Sequence, residues 1–205
     1  MSIVKLNNKA VSNATAFGSI SSLGSMTFIK KLTASGSSTL SFVDGASGVV
    51  LDDTYKEYVF TFKNIHPATA NQDFTFNMSI DGGSNYNVVK TTTVFRADLS
   101  ENGAGGRVLY ITGSDLAQST AFQYLSGYNS NDNDGNLGGQ ISLYNPSSTV
   151  FVKHFISKMN TMTGDPGSYN NFVAGYGNTT SAVNAVQFKC SSGNFDGTIK
   201  MWGVK

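Results

Sequence analysis

Hydrophobic and polar residues alternate along much of this chain. In "DFTFNMSI", Phe74, Phe76, Met78 and Ile80 fall at every second position, with Thr75, Asn77 and Ser79 between them. "EYVFTFKNI" places Tyr58, Phe60 and Phe62 on one face, and "AVQFKC" sets Val186, Phe188 and Cys190 against Gln187 and Lys189. A period of two sends alternate side chains to opposite sides of an extended strand, so these segments read as half-buried antiparallel strands. "TVFVKHFISKM" and "NVVKTTTVF" are apolar at both parities and suit inner strands. Five Asx-Gly steps punctuate the pattern: Asp44-Gly45, Asp81-Gly82, Asn102-Gly103, Asp134-Gly135 and Asp196-Gly197. Such pairs accept the positive φ angles of tight hairpin turns. "GDPG" at 164–167 marks a further turn. The pattern predicts roughly ten to twelve strands. One segment, "SDLAQSTAFQYL" (114–125), fits a helix capped by Ser114 or Asp115 almost as well as a strand; the strand is preferred.

Many short strands without intervening helices predict an all-β fold, an antiparallel β-sandwich of jelly-roll-like form. Residues 26–205 read as one domain. Residues 1–25, with the small, polar "SNATAFGSISSLGS", read as an extended N-terminal arm that wraps the domain or reaches a neighbour. An ordinary edge strand followed by a long loop is the alternative.

Composition narrows the function. A chain of 205 residues hides roughly 70% of its unfolded surface on folding and needs no metal or disulfide to do so. Fourteen basic residues face thirteen acidic ones, for a net charge of +1. That balance gives no field to attract nucleic acid or a membrane surface. One cysteine, Cys190, excludes an intrachain disulfide and a cysteine zinc site. The opening "MSIVKLNNKAVSNATAF" lacks the apolar run of a signal peptide. No stretch is apolar for long enough to span a bilayer as a helix, so membrane insertion is not expected.

Candidate chemistry is sparse. The most acidic short run is "NSNDNDGN" (129–136). Setting Gly135 at position 6 of an EF-hand loop puts Asp134 and Asp132 at positions 5 and 3, but Ser130 at 1 and Ile141 at 12. The first ligand is weak and the bidentate glutamate is missing. A looser calcium site using Asp132 and Asp134 stays open beside the simpler reading of a solvated loop tip. His66 precedes Pro67 and reads as a turn residue; His154 falls mid-strand, and no nucleophile elbow accompanies either. Glycoside cleavage needs two opposed carboxylates, yet Glu57 and Glu101 are the only glutamates, and the adjacent Asp52 and Asp53 would face opposite ways. "ENGAGGR" (101–107) has the glycines of a phosphate cradle without its Lys-Ser/Thr. The sequons at Asn13, Asn77 and Asn178 are expected by chance in a chain this rich in Asn and Thr. No catalytic residue, metal or cofactor is assigned, and the chain is not expected to be an enzyme. The tyrosines Tyr124, Tyr128, Tyr144, Tyr169 and Tyr176 lie in or beside polar loops. A flat apolar ring flanked by amides is what a sugar-binding surface requires; shielding of the core rim or of a subunit contact is the alternative for each.

Several segments carry a resemblance when taken together. "AFGSISSLGSMTFIKKLTASGSSTLSFVDG" leads into "VVLDDTYKEYVFTFKNIHP"; later come "LYNPSSTVFVKHFI", "NNFVAGYGNTTSAVNAVQFK" and "SSGNFDGTIKMWGVK". The chain resembles small structural proteins of tailed phages of marine bacteria, including cyanophages. Its end, Gly197-Thr198-Ile199-Lys200-Met201-Trp202-Gly203, resembles the "SGxIxLYG" strand that closes the β-sandwich of many phage fibre and receptor-binding heads, with Trp202 where a tyrosine is usual. The resemblance implies a virion component, assembled in the host cytoplasm, exposed on the particle and homotrimeric, with other tail or capsid proteins as partners. It implies a tail fibre or spike head contacting host-surface glycan, through Tyr124, Tyr128, Asp132, Asp134, Tyr144, Tyr169 and Tyr176 on the residue-level reading. A capsid decoration protein that cements capsomers is the alternative, and a surface depolymerase a distant third.

Overall fold

The computed structural model describes residues 25–205. The expected arm, with the sequon at Asn13, lies outside the described residues except for Ser25. Twelve strands follow: β1 (Met26–Ser37), β2 (Leu40–Val43), β3 (Glu57–Pro67), β4 (Gln72–Ser79), β5 (Lys90–Ser100), β6 (Arg107–Tyr110), β7 (Gln123–Asn129), β8 (Leu137–Tyr144), β9 (Lys153–Met162), β10 (Gly167–Gly177), β11 (Ala185–Cys190) and β12 (Phe195–Val204). They form two antiparallel sheets, one ordered β1-β12-β3-β8-β9-β10-β5-β6 and one ordered β2-β11-β4-β7.

The topology is that of a rolled-up hairpin. β1 pairs with β12, β2 with β11, β3 with β8 and β4 with β7, so the pairs nest inward from both ends of the described chain. Wrapping such a ladder into two facing sheets gives a jelly roll. Four further strands interrupt it. β5 and β6 lie between β4 and β7 in sequence, β9 and β10 between β8 and β11, and all four extend the larger sheet beyond β8.

The alternating residues make the core. Phe60 and Phe62 of β3 meet Phe42, Phe74 and Phe188 from the opposite sheet, and Phe74 in turn meets Phe195 of β12, mostly edge to face at centroid distances of 5.1–5.7 Å. Each such pair contributes about 0.5–1.5 kcal/mol beyond the area it buries.

The extension creates an overhang. Eight strands face four. β7, the edge of the smaller sheet, packs over β9 and β10. The connection from Ile111 to Phe122 covers part of what remains, bonding to β5 through Ile111 N–H to the Val94 carbonyl and through a reciprocal exchange between Leu116 and Thr92. Beneath it the buried side chains turn polar: Lys90, Thr92, Arg96, Asp98, Gln123, Thr161 and Asn171.

Four local readings of the sequence need correction. Residues 114–125 are neither helix nor, for the most part, strand: a 3-10 turn spans Thr112–Ser114 and β7 begins only at Gln123. Thr75, Asn77 and Ser79 alternate with the core phenylalanines as expected, yet they are buried as well. Asn77, for example, donates to the carbonyls of Tyr86 and Thr120 on segments crossing that face. β5 and β9 are interior in strand order, but each buries one parity and exposes the other. Asp196-Gly197 is no turn: it is a bulge within β12, where Gly197 adopts φ +134° against the backbone of Asn64 and Ile65.

Candidate functional site

The polar overhang holds a cavity of about 440 Å³ lined by Asn71, Asp73, Arg96, Ile111, Gly113, Ser114, Tyr124 and Tyr128. Arg96 is its central group. The inward parity of β5 carries Val94, Arg96 and Asp98, so the arginine and aspartate sit on one face two residues apart. The Arg96 guanidinium donates to Asp98 at 3.2 Å. Asp98 also accepts from Arg107 of β6 at 3.1 Å. Two cations thus share one carboxylate, and among the described residues the buried Arg96 Nε–H has no acceptor.

Aromatic rings take up the rest of the guanidinium. Its carbon lies 3.9 Å from the ring centroid of Tyr169 and 5.6 Å from that of Tyr128. The two rings meet edge to face at 6.0 Å. Stacking an arginine on a ring face is favourable by about 0.5–2 kcal/mol, the more so when water is excluded. Tyr124 completes the wall. Its hydroxyl donates to Asn171 at 2.7 Å, and burial pushes its phenol up to about 12.

Tyr128 is the ring that reaches solvent, at 56% exposure. Its backbone is left-handed, φ +57°, a conformation that costs a bulky residue about 1–2 kcal/mol. Pairing between β4 and β7 breaks register twice, between Tyr124 and Ser126 and again between Ser126 and Asn129, a stretch that contains Tyr128. Bulges of this kind bend an edge strand and re-aim its side chains. Here the bend turns Tyr128 outward over the cavity while Tyr124 stays in.

A second lobe of about 370 Å³ adjoins the first and shares Asp73, Gly113, Ser114 and Tyr124 with it. Thr75, Leu116, Phe122, Lys189 and Ser191 complete its lining. The Lys189 ammonium lies 4.2 Å from the Phe122 ring centroid. Asp73 stands between the lobes, and burial raises its carboxyl above the usual range. Among the described residues Asp73 is the one carboxylate lining either lobe, whereas glycoside cleavage uses two.

Of the residues singled out in the sequence, Tyr124, Tyr128 and Tyr169 converge on Arg96. The others disperse. Tyr176 lies on the opposite face of the sheet, 5.9 Å from His154, in a shallow groove with Ile156 and Thr93. Tyr144 ends β8 far from the cavity, opposite Glu57. Asp132 and Asp134 occupy the exposed loop joining β7 to β8. Asp132 accepts from the Ser130 hydroxyl at 3.0 Å. His66, which closes β3 and does not sit in a turn, binds the Gly135 carbonyl through Nδ1 at 2.6 Å and pins the loop. Among the described residues no cluster of three metal-ligating side chains forms. Tyr124, expected near a loop, is a buried strand residue at 7% exposure.

Arg96, Asp98, Asp73 and Lys189 escaped the sequence reading. The signal for the first two was present: "VFRAD" puts a charge pair at the parity of Val94, facing inward. The site is therefore a jelly-roll sandwich's polar annex, in which one buried arginine is surrounded by three tyrosines beside an open groove. Comparison with family models, curated proteins and solved structures finds nothing that matches this chain.

Proposed function

We propose that this protein is a surface component of a phage particle, a fibre or spike head that binds host-surface glycan in the Arg96 cavity. The observation that carries the reading is the exposed, backbone-strained Tyr128 ring mounted over a buried arginine and flanked by Asn71, Asp73 and Ser114. A sugar ring stacks on such a face, and the amide, carboxylate and hydroxyl take its hydroxyls. Strain held at an exposed aromatic has no use for folding, and strained positions concentrate at ligand sites. The reading is one of binding and needs no bond to break. The resemblance to phage structural proteins supports the location on a particle and the homotrimer.

A second reading, a capsid decoration protein, is favoured by a different surface. The outward parity of β9, β10, β5 and β6 brings Lys158, Phe172, Phe95 and Tyr110 into one row across the sheet. Phe95 and Phe172 stack at 4.8 Å, and Ile156 and Val108 are more than half exposed beside them. Continuous apolar surface of this kind is typical of assembly contacts.

Competition separates the two. Soluble wild-type protein is expected to inhibit adsorption of the particle to its host cells, and Tyr128→Ala protein to inhibit at least tenfold less well. Failure of the wild-type protein to compete, with the fold located on the capsid lattice by cryo-electron microscopy, would reject the receptor reading in favour of cement.

A further inference from the structure

The two lobes differ in chemistry, and the difference defines a ligand. The first offers an exposed ring, uncharged polar groups and an arginine already held by a carboxylate and a ring face: Tyr128, Asn71, Ser114, and Arg96, which shares Asp98 with Arg107 and lies over Tyr169. The second carries a cation without a carboxylate partner. Asp73 and Thr75 of β4, Lys189 of β11 and Ser191 just after it share one face of the smaller sheet. Lys189 stands opposite Thr75, and Ser191 bonds to Asp73 through both backbone and hydroxyl. No ion pair forms between Lys189 and Asp73, because the described residues hold only the two salt bridges to Asp98. Lys189 instead rests its ammonium on the Phe122 ring, which fixes its position and thins its water shell.

Asp73 is the hinge of the arrangement. It lines both lobes, and burial raises its carboxyl above the usual range. A half-buried carboxylate in that state accepts hydrogen bonds from whatever enters. Vicinal hydroxyls fit it. A bare anion does not, since it would be repelled at the junction.

We infer that the groove binds an acidic saccharide chain of at least two sugars, with an uncharged ring stacked on Tyr128, hydroxyls bridging to Asp73, and a carboxylate or sulfate substituent on Lys189. The inference rests on the glycan reading above and deepens it. Two adjoining lobes of about 440 and 370 Å³ each suit one pyranose, and the short spacing between neighbouring sugars matches lobes that share a wall. Lys189 selects for charge and Tyr128 supplies contact that is indifferent to it. The two residues therefore separate affinity from selectivity.

The test is calorimetric titration of the full chain with three probes: a uronic-acid oligosaccharide, its carboxyl-reduced neutral counterpart, and a sulfated galactan oligosaccharide. Wild-type protein is expected to bind the uronate or the sulfated oligomer at least tenfold more tightly than the neutral one. Lys189→Gln should bring that ratio to within about threefold by weakening the acidic oligomers more than the neutral one. Lys189→Arg should restore the preference, which guards against a variant that merely unfolds. Tyr128→Ala should weaken all three probes together. Equal binding of acidic and neutral oligomers by the wild type would overturn the charge selectivity and leave the glycan reading standing. Binding to none of the three would overturn both. A preference that survives Lys189→Gln would remove Lys189 from the site.

Discussion

Arg96 is the residue on which the cavity depends, and its dependence on Asp98 is measurable. The guanidinium is 92% buried on its side chain and has Asp98 as its ion-pair partner. Removing one member of a buried pair leaves the other desolvated and uncompensated, which costs about 3–5 kcal/mol. Asp98→Ala is therefore expected to lower unfolding stability by that amount in urea titrations. Lys90 offers a second test. It is buried, donates to Asn77 Oδ1 at 2.6 Å and the Val88 carbonyl at 2.7 Å, and desolvation pulls its ammonium down to about 7 from 10.5. Between those values the unfolded chain holds the proton and the folded chain releases it. Stability therefore rises with pH above 7 and falls back as pH drops through 7. Lys153, lowered by burial, adds in the same direction, so the comparison must be with Lys90→Met. The wild type should gain about 2 kcal/mol more than that variant between pH 7 and 9, before Cys190, with its thiol pushed up to about 12, begins to oppose the trend. At this scale the sequence told part of the story. Tyr128 and Tyr169 were legible because aromatic rings among amides signal a surface. Lys90 was not, because a charge inside an apolar run reads as solvated until the sheet shows what covers it; Arg96 signalled its burial only through its parity with Val94.

The elements explain why the cavity opens where it does. β7 is a short edge strand, and its two register breaks against β4 release it from the flat ladder. Tyr128 bears the backbone cost. Glycine accepts φ +57° freely, so Tyr128→Gly is expected to be more stable than Tyr128→Ala by about 1 kcal/mol in thermal or urea unfolding, while both lose ligand binding. The bulge in β12 gives a parallel test far from the site. A Cβ on Gly197 would lie 2.7 Å from the Asn64 carbonyl oxygen, at φ +134°. Gly197→Ala should therefore cost at least about 1–3 kcal/mol without altering the cavity. Strands with clean alternation, such as β3 and β11, were readable because burial on one face imposes the period. β5, β7 and the 111–122 connection were harder. Polar positions of β5 and β7 are buried while the connection that covers them stays half-buried or exposed, and periodicity carries no information about what lies above a sheet. The polar run at 129–136 begins in β7 with Asn129 and continues as the loop to β8; that His66 pins it through Gly135 depends on contacts across 69 residues.

At the scale of the molecule, a jelly roll with four inserted strands produces both of its notable surfaces. Eight strands over four leave an overhang. Its inner side is the polar annex, and its outer side is the apolar row through Phe95 and Phe172. Strand number and the antiparallel sandwich were legible from alternation and turns. The unequal sheets were not, because which strands join which sheet is decided by pairings distant in sequence. The outer surface predicts self-association: wild-type protein should sediment as an oligomer at high micromolar concentration, and Ile156→Glu as a monomer. The account as a whole rests on the inner side. Its most direct test is amide chemical-shift mapping of the isotope-labelled protein during titration with a uronic-acid polysaccharide, a probe of the proposed glycan binding. The account predicts shifts confined to residues near Asp73, Arg96, Ser114, Tyr124, Tyr128, Tyr169 and Lys189. No shifts at saturating polysaccharide, or shifts gathered instead around Phe95, Ile156 and Phe172, would contradict it.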